Sequence, residues 1–179
     1  MKSRVYCAIA AKSDYAMILV ALGSNQSGPW GTPQETVEHA LKMLNQFPIA
    51  LIKQSVLIKT KPFGITNQPD FVNAVVEVRT ALPPHALLRR LHMIEHQAGR
   101  KRGRHWGPRK LDLDIIDYHG RKIKQKGLVQ KALTLPHPGI AQRDFVLAPI
   151  AEIAPTWKHP VNHKSAIAMI QKLYGLSPT

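Results

Sequence analysis

The segment from Gly99 to Tyr118, GRKRGRHWGPRKLDLDIIDY, constrains this chain more than any other. Its first half is a basic loop carrying Arg100, Lys101, Arg102, Arg104, Arg109 and Lys110. Three glycines keep its backbone loose and Pro108 ends it. Its second half has the alternation of a strand. Side chains on a strand alternate faces, so Asp112 and Asp114 share one side while Leu111, Leu113 and Ile115 take the other. Two carboxylates on one face repel each other unless a cation neutralises them. A hard divalent cation such as magnesium takes oxygen ligands of this kind, with water and substrate phosphates completing its shell. An arginine-rich loop beside such a pair suits a polyanion, so the segment is expected to bind a nucleoside triphosphate with magnesium. Asp117 has the opposite strand parity and is left out of the pair.

The remaining composition narrows the partner. The chain has 179 residues, 44% of them hydrophobic, which fits one globular domain. No apolar run is long enough to span a bilayer, and the lone cysteine, Cys7, excludes an internal disulfide, as in a reducing cytoplasm. A net charge of +14 calls for an anionic partner. Residues 1–16 read as a dispensable extension with Met17 as an alternative start, leaving residues 17–179 as a single domain.

Along the chain, strands are expected at 17–22, at 49–60 with a bulge or break, at 71–80 and at 112–118 as the central strand. Helices are expected at 32–44, with Thr32 as cap and Pro33 in the first turn, and from Pro83-Pro84 to a stop at Gly99. Residues 121–125 read as an edge hairpin and 131–135 as a short strand. A helix over 143–154 is expected to be interrupted at Pro149, and a last helix covers 163–174. The order strand, helix, strand, strand, helix, strand is that of an α+β ferredoxin-like sandwich (βαββαβ) with C-terminal helices appended.

Four separated stretches resemble the 6-hydroxymethyl-7,8-dihydropterin pyrophosphokinases of folate biosynthesis. They are ALGSN at 21–25, NQPDFVNAVVEV at 67–78, GRKRGRHWGPRKLDLDI at 99–115 and LPHPGIAQRDFVLAPIAEIAP at 135–155. The resemblance implies transfer of the pyrophosphoryl group of ATP to the pterin hydroxymethyl, releasing AMP, with two magnesium ions. It implies Asp112 and Asp114 as metal ligands, and Arg100, Arg102 and Arg109 as the catalytic phosphate-side arginines. For the pterin it implies an aromatic slot of Phe71 and Phe145 covered by Trp106, with Asn73 reading the ring edge and Thr60 and Phe63 on the rim. For ATP it implies Leu88, His92, Glu95, Arg102, Arg109, Ile115, Thr134, His137 and Arg143. The GR-to-WG spacing is one residue shorter than in a relative of that family, and His105 stands where that relative has arginine. The expected partners are small molecules, with neither nucleic acid nor membrane, and with functional coupling to dihydropteroate synthase. No general base is assigned.

Two rival readings have features of their own. His92-Met-Ile-Glu95-His96 fits the H-x-x-E-H pattern of a zinc peptidase, without a partner motif for a third ligand. The basic loop with Trp106 would also suit a nucleic-acid binder, recognised by salt-sensitive oligonucleotide binding without nucleotide turnover.

Overall fold

A computed structural model describes residues 17–62, 67–100, 107–125 and 132–176. The proposed extension at 1–16, together with Phe63, Lys101, Arg102, Arg104, His105 and Trp106, lies outside the described residues. The described chain runs β1 (Ile18–Ser24), α1 (Pro33–Leu44), β2 (Ile49–Gln54), β3 (Ile58–Thr60), β4 (Phe71–Thr80), α2 (Pro84–Gln97), β5 (Asp112–Tyr118), β6 (Ile123–Gln125), β7 (Leu133–Leu135), α3 (Asp144–Ile153) and α4 (Ala166–Leu173). It is a mixed α/β fold on an antiparallel sheet ordered β2-β4-β1-β5, with β3 also pairing β4.

The helices begin and end where local chemistry dictates. Thr32 and Glu35 form a reciprocal capping box: the Thr32 hydroxyl accepts from the Glu35 backbone N–H, and the Thr32 N–H donates to the Glu35 carboxylate at 2.8 Å. At the end of α2, Gly99 adopts φ +80°, where a Cβ would meet Pro29 at 2.8 Å. That left-handed turn sends Arg100 back along the helix, so its backbone N–H donates to the Glu95 carbonyl at 3.0 Å.

The sheet is covered on both faces. Val20, Leu22, Val72, Ala74, Val76, Leu113 and Ile115 pack with Val37, Ala40 and Leu44 of α1 and Leu87, Leu91 and Ile94 of α2. On the other face, Leu19, Val75 and Ile116 pack with Val146, Leu147 and Ile150 of α3, Met169 of α4, and Trp157. Burial on two sides explains why β1 and β4 read as nearly continuous apolar runs.

Four expectations are corrected. The strand at 112–118 is an edge of the main sheet, because β1 and β4 occupy its interior. Residues 123–125 do not extend that sheet; they pair with β7 in a separate two-stranded ribbon. Helix α3 runs through Pro149 without interruption. Proline at the sixth position removes one ladder hydrogen bond, and burial of Val146, Leu147, Ile150 and Ile153 holds the turn on either side.

The fourth correction concerns Asp117. The β1–β5 register shifts between Leu19 and Val20, so Val20 pairs Ile115 while Leu19 pairs Asp117. The extra residue, Ile116, is a bulge that places Asp117 on the face of Leu19 rather than opposite it. There Asp117 is 2% exposed, accepts from the Trp157 indole N–H at 2.8 Å and from the Gly120 N–H at 2.9 Å. Burial pushes its pKa up, against the pull of those donors. It pins the segment after α3 to β5 and takes no part in the carboxylate pair. Trp157→Phe removes one donor from a buried carboxylate and should lower unfolding free energy by about 1–3 kcal/mol in a urea titration, with substrate affinities unchanged.

Candidate active site

The site is built on the α3 face of the sheet, where the end of β1 pairs with the start of β4 on one side and the start of β5 on the other. A cleft of about 850 Å³, counted out into its open mouth, is lined by Ala21 and Gly23 of β1, Phe71 and Asn73 of β4, Asp112 and Asp114 of β5, and Phe145 of α3. Thr60, Lys61 and Gln68 wall one side; Gly107, Arg109 and Arg143 wall the other. Strand parity accounts for this assembly. Phe71 and Asn73 share a face with Val75, whereas Val72 and Ala74 point into the α1/α2 core.

Asn73 is fixed by its surroundings. It is 6% exposed, and its amide Nδ2 donates to the Thr60 hydroxyl across β3 and β4 at 2.7 Å. Its Oδ1 lies against Gly23, where a Cβ would approach it to 2.8 Å. Gly23 is therefore required by the approach of the amide, a reason invisible in the ALGSN stretch itself. Phe71 and Phe145 flank this amide from different elements, forming the apolar part of the cleft.

The acidic pair sits among cations. Arg100 donates to Asp112 at 2.7 Å and to Glu95, and Arg109 donates to the other oxygen of Asp112. Asp114 is approached by the Arg143 guanidinium at 3.5 Å and by the His137 imidazole Nε2 at 3.6 Å, both at its Oδ2. A third of the Asp114 side chain meets solvent, yet burial of its carboxylate and the repulsion of Asp112 hold its pKa above the usual range. Burial also lowers the His137 pKa, against the attraction of Asp114, so the imidazole is neutral near pH 7.

Glu95 stands behind the pair. It is 3% exposed on α2, and its carboxylate accepts from the Leu113 backbone N–H at 2.8 Å, between the two aspartates. Burial raises its pKa to about 7, opposed by Arg100 and the Leu113 N–H and assisted by Asp112 and Asp114. With its carboxylate committed in this way, Glu95 supports β5 and Arg100 from within the protein. Of the other residues expected at a nucleotide, Leu88 and Ile115 pack in the α1/α2 core, His92 is half-buried on α2, and Thr134 is exposed on β7 opposite Lys124. None of these four lines the cleft.

Among the described residues, no group of three or more His, Cys, Asp or Glu side chains is arranged to hold a metal ion by protein donors alone. Asp112 and Asp114 nevertheless fit a hard cation whose shell is completed by substrate phosphate and water, because both are carboxylates facing one open cleft. Several residues here were not singled out from the sequence. Gly23, Ser24 and Asn25 read as a strand-ending turn, and Gln68 and Lys61 as loop positions; their roles depend on which segments the fold brings beside them.

The mixed α/β fold brings paired carboxylates, converging cations and two phenylalanines to one cleft. Residues 19–155 match the family model of 7,8-dihydro-6-hydroxymethylpterin-pyrophosphokinase (HPPK). The chain belongs to that family. It is 44% identical over 136 residues to the 2-amino-4-hydroxy-6-hydroxymethyldihydropteridine pyrophosphokinase of Haemophilus influenzae, covering 75% of this chain and 79% of the relative. It is 38% identical to a folate synthesis bifunctional protein of Arabidopsis thaliana, covering 78% of this chain and 27% of that protein. The fold is similar to the HPPK-DHPS of Plasmodium falciparum solved with pteroate, with a TM-score of 0.71 at 14% identity, covering 89% of this chain and 46% of that one. The chain thus spans less than half of these two longer relatives.

The raised pKa of Glu95 has a consequence for stability. A carboxyl whose folded pKa lies above its unfolded value contributes stability below about 4.5, and that contribution is lost as the pH rises to about 7. Glu95→Gln cannot titrate and keeps an acceptor for Leu113. In metal- and nucleotide-free protein, the melting temperature of the variant relative to wild type should therefore climb between pH 5 and 8. A difference that stays flat across that window would contradict the assignment.

Proposed function

We propose that the cleft between Phe71 and Phe145 holds the pterin and that the acidic edge of β5 holds the triphosphate of ATP. The chain transfers the pyrophosphoryl group of ATP to the hydroxymethyl group of 6-hydroxymethyl-7,8-dihydropterin, giving AMP and the pterin diphosphate. Family membership carries the reaction. One observation carries the division of the site: Asn73 and the two phenylalanines line the same continuous cleft as Asp112, Asp114, Arg109 and Arg143.

The roles follow from chemistry. A pterin is flat and aromatic, with an amide-like edge; two ring faces bind its plane and the Asn73 amide, steered by Thr60, reads that edge. Expelling water from the apolar end strengthens each polar contact made there. Asp112 and Asp114 would hold magnesium, two ions in our reading. When bound, magnesium would neutralise phosphate charge and make the transferring group more electrophilic. Arg100 and Arg109, which neutralise Asp112 in the substrate-free protein, would turn that positive charge toward the transferring group and departing AMP. Arg143 beside Asp114 would do the same from α3, and the His137 imidazole, also beside Asp114, would supply a hydrogen-bonding group there. Arg102, Phe63 and Trp106 keep the roles that the resemblance implies.

The finer readings rest on the same ground. The strand order β2-β4-β1-β5 with α1 and α2 on one face supports a ferredoxin-like sandwich to which α3 and α4 add a second cover. Relatives that carry HPPK and DHPS in one chain support coupling of this enzyme's product to dihydropteroate synthase. No helix of the described residues is long and apolar enough to cross a membrane. A cytoplasmic location is the reading that a single cysteine favours.

Identification of the products tests the reaction. ATP, magnesium and the hydroxymethyl pterin should yield AMP and the pterin diphosphate; ADP would indicate an ordinary kinase and defeat the reading. Asp112→Ala and Asp114→Ala should each lower kcat by about a hundredfold or more while the protein remains folded by circular dichroism. Asn73→Ala should raise KM for the pterin by roughly tenfold or more and leave KM for ATP near wild type.

A further inference from the structure

One buried amide joins the two walls of the cleft. Asn25 follows β1 and is 1% exposed. Its Oδ1 accepts from the Arg109 backbone N–H at 2.8 Å, and its own backbone N–H donates to the Arg109 carbonyl at 3.0 Å. Its Nδ2 donates in the other direction, to the Gln68 Oε1 at 3.0 Å and the Pro69 carbonyl at 3.1 Å. Ser24 strengthens the first connection by donating from its hydroxyl to the Lys110 carbonyl at 2.6 Å. The segments joined are far apart in sequence, and each contributes to the cleft: Arg109 on one wall, Gln68 on the other.

The chemistry of the group makes this connection rigid. A carboxamide is planar, with its acceptor and its two donors at fixed angles, and both halves are used here. A buried amide so satisfied cannot drift toward one wall without giving up a hydrogen bond to the other. The backbone of Arg109 is thereby held at a set separation from Pro69 and Gln68. Arg109 carries the guanidinium that contacts Asp112, and Pro69 lies two residues before Phe71.

We propose that Asn25 is a positioning residue for the transfer, setting the phosphate-side wall at Arg109 in register with the pterin-side wall at Gln68–Pro69. The assignment of the two sides rests on the function proposed above. Acceptor atoms must lie within a few tenths of an ångström of a productive geometry for a transfer of this kind, so loosening either wall should weaken catalysis more than it weakens the fold.

Two substitutions separate the halves of the amide. Asn25→Asp keeps oxygen acceptors for the Arg109 N–H and loses the donors to Gln68 and Pro69. Asn25→Ala loses both connections. Hydrogen exchange reads the clamp without reference to activity: the Arg109 amide should stay protected in Asn25→Asp and exchange faster in Asn25→Ala. In steady-state kinetics, Asn25→Asp should raise KM for the pterin by about tenfold with KM for ATP within about twofold of wild type. Asn25→Ala should in addition lower kcat by about tenfold or more. Thr32→Ala, which removes a helix cap that does not line the cleft, serves as the control that lowers the melting temperature alone. The proposal is overturned if Asn25→Asp behaves like that control, losing thermal stability with both KM values and kcat unchanged. Should Asn25→Ala fail to fold, Asn25→Asp, which matches asparagine in shape, decides the question. Wild-type protein that makes no pterin diphosphate would refute the reaction instead, and the exchange pattern would still report on the clamp.

Discussion

The structure depends on keeping two carboxylates side by side at the end of one strand. Residues two apart on a strand face stand about 7 Å from each other, and at an effective dielectric near 20 their repulsion is roughly 2 kcal/mol. That penalty is offset by Arg100 and Arg109 on Asp112 and by Arg143 on Asp114. Each cation arrives from a different part of the chain: the turn after α2, the segment before β5, and the start of α3. The fold around β5 is thus a means of delivering positive charge to one edge. An edge strand is the place where this works, since its free side admits side chains and substrates that an interior strand would exclude.

The strength of the +14 charge is explained in part by the same need. A site that binds a triphosphate must carry excess positive charge, yet in the empty protein that charge has to be held without unfolding its surroundings. Asp112 and Glu95 supply the holding anions for Arg100. Glu95 is well suited because burial brings its pKa to about 7, so its charge is only partly expressed when a second negative group is near. The Leu113 backbone N–H that it accepts from lies between the two aspartates, which ties the geometry of the pair to α2.

Much of this was legible in the residues themselves. Alternation marked Asp112 and Asp114 against Leu113 and Ile115, the Thr32-Pro33 cap marked the start of α1, and Gly99 marked the stop of α2. These are local signals, set by a few neighbouring side chains. What escaped depends on contacts distant in sequence. The bulge at Ile116 is a mismatch between β5 and β1, and no pattern within 112–118 announces it. The unbroken passage of α3 through Pro149 reflects packing on both sides of the proline rather than propensity. The separate pairing of 123–125 with β7 depends on a partner strand that the sheet order alone leaves undetermined.

The glycine and asparagine after β1 show the same limit at the site. Gly-Ser-Asn reads as an ordinary strand end, since all three residues favour turns. In the folded chain each meets a specific partner: Gly23 gives way to the Asn73 amide, Ser24 holds Lys110, and Asn25 holds Arg109 and Pro69. One turn therefore adjoins the Asn73 amide on one side and Arg109 on the other. A pyrophosphoryl transfer needs an alcohol and a phosphorus brought together along one line, and two binding regions that moved independently would seldom meet that condition. The end of β1 is the structural point at which both walls of the cleft share a foundation, and on the proposed assignment of those walls it belongs to the reaction geometry as much as the carboxylates do.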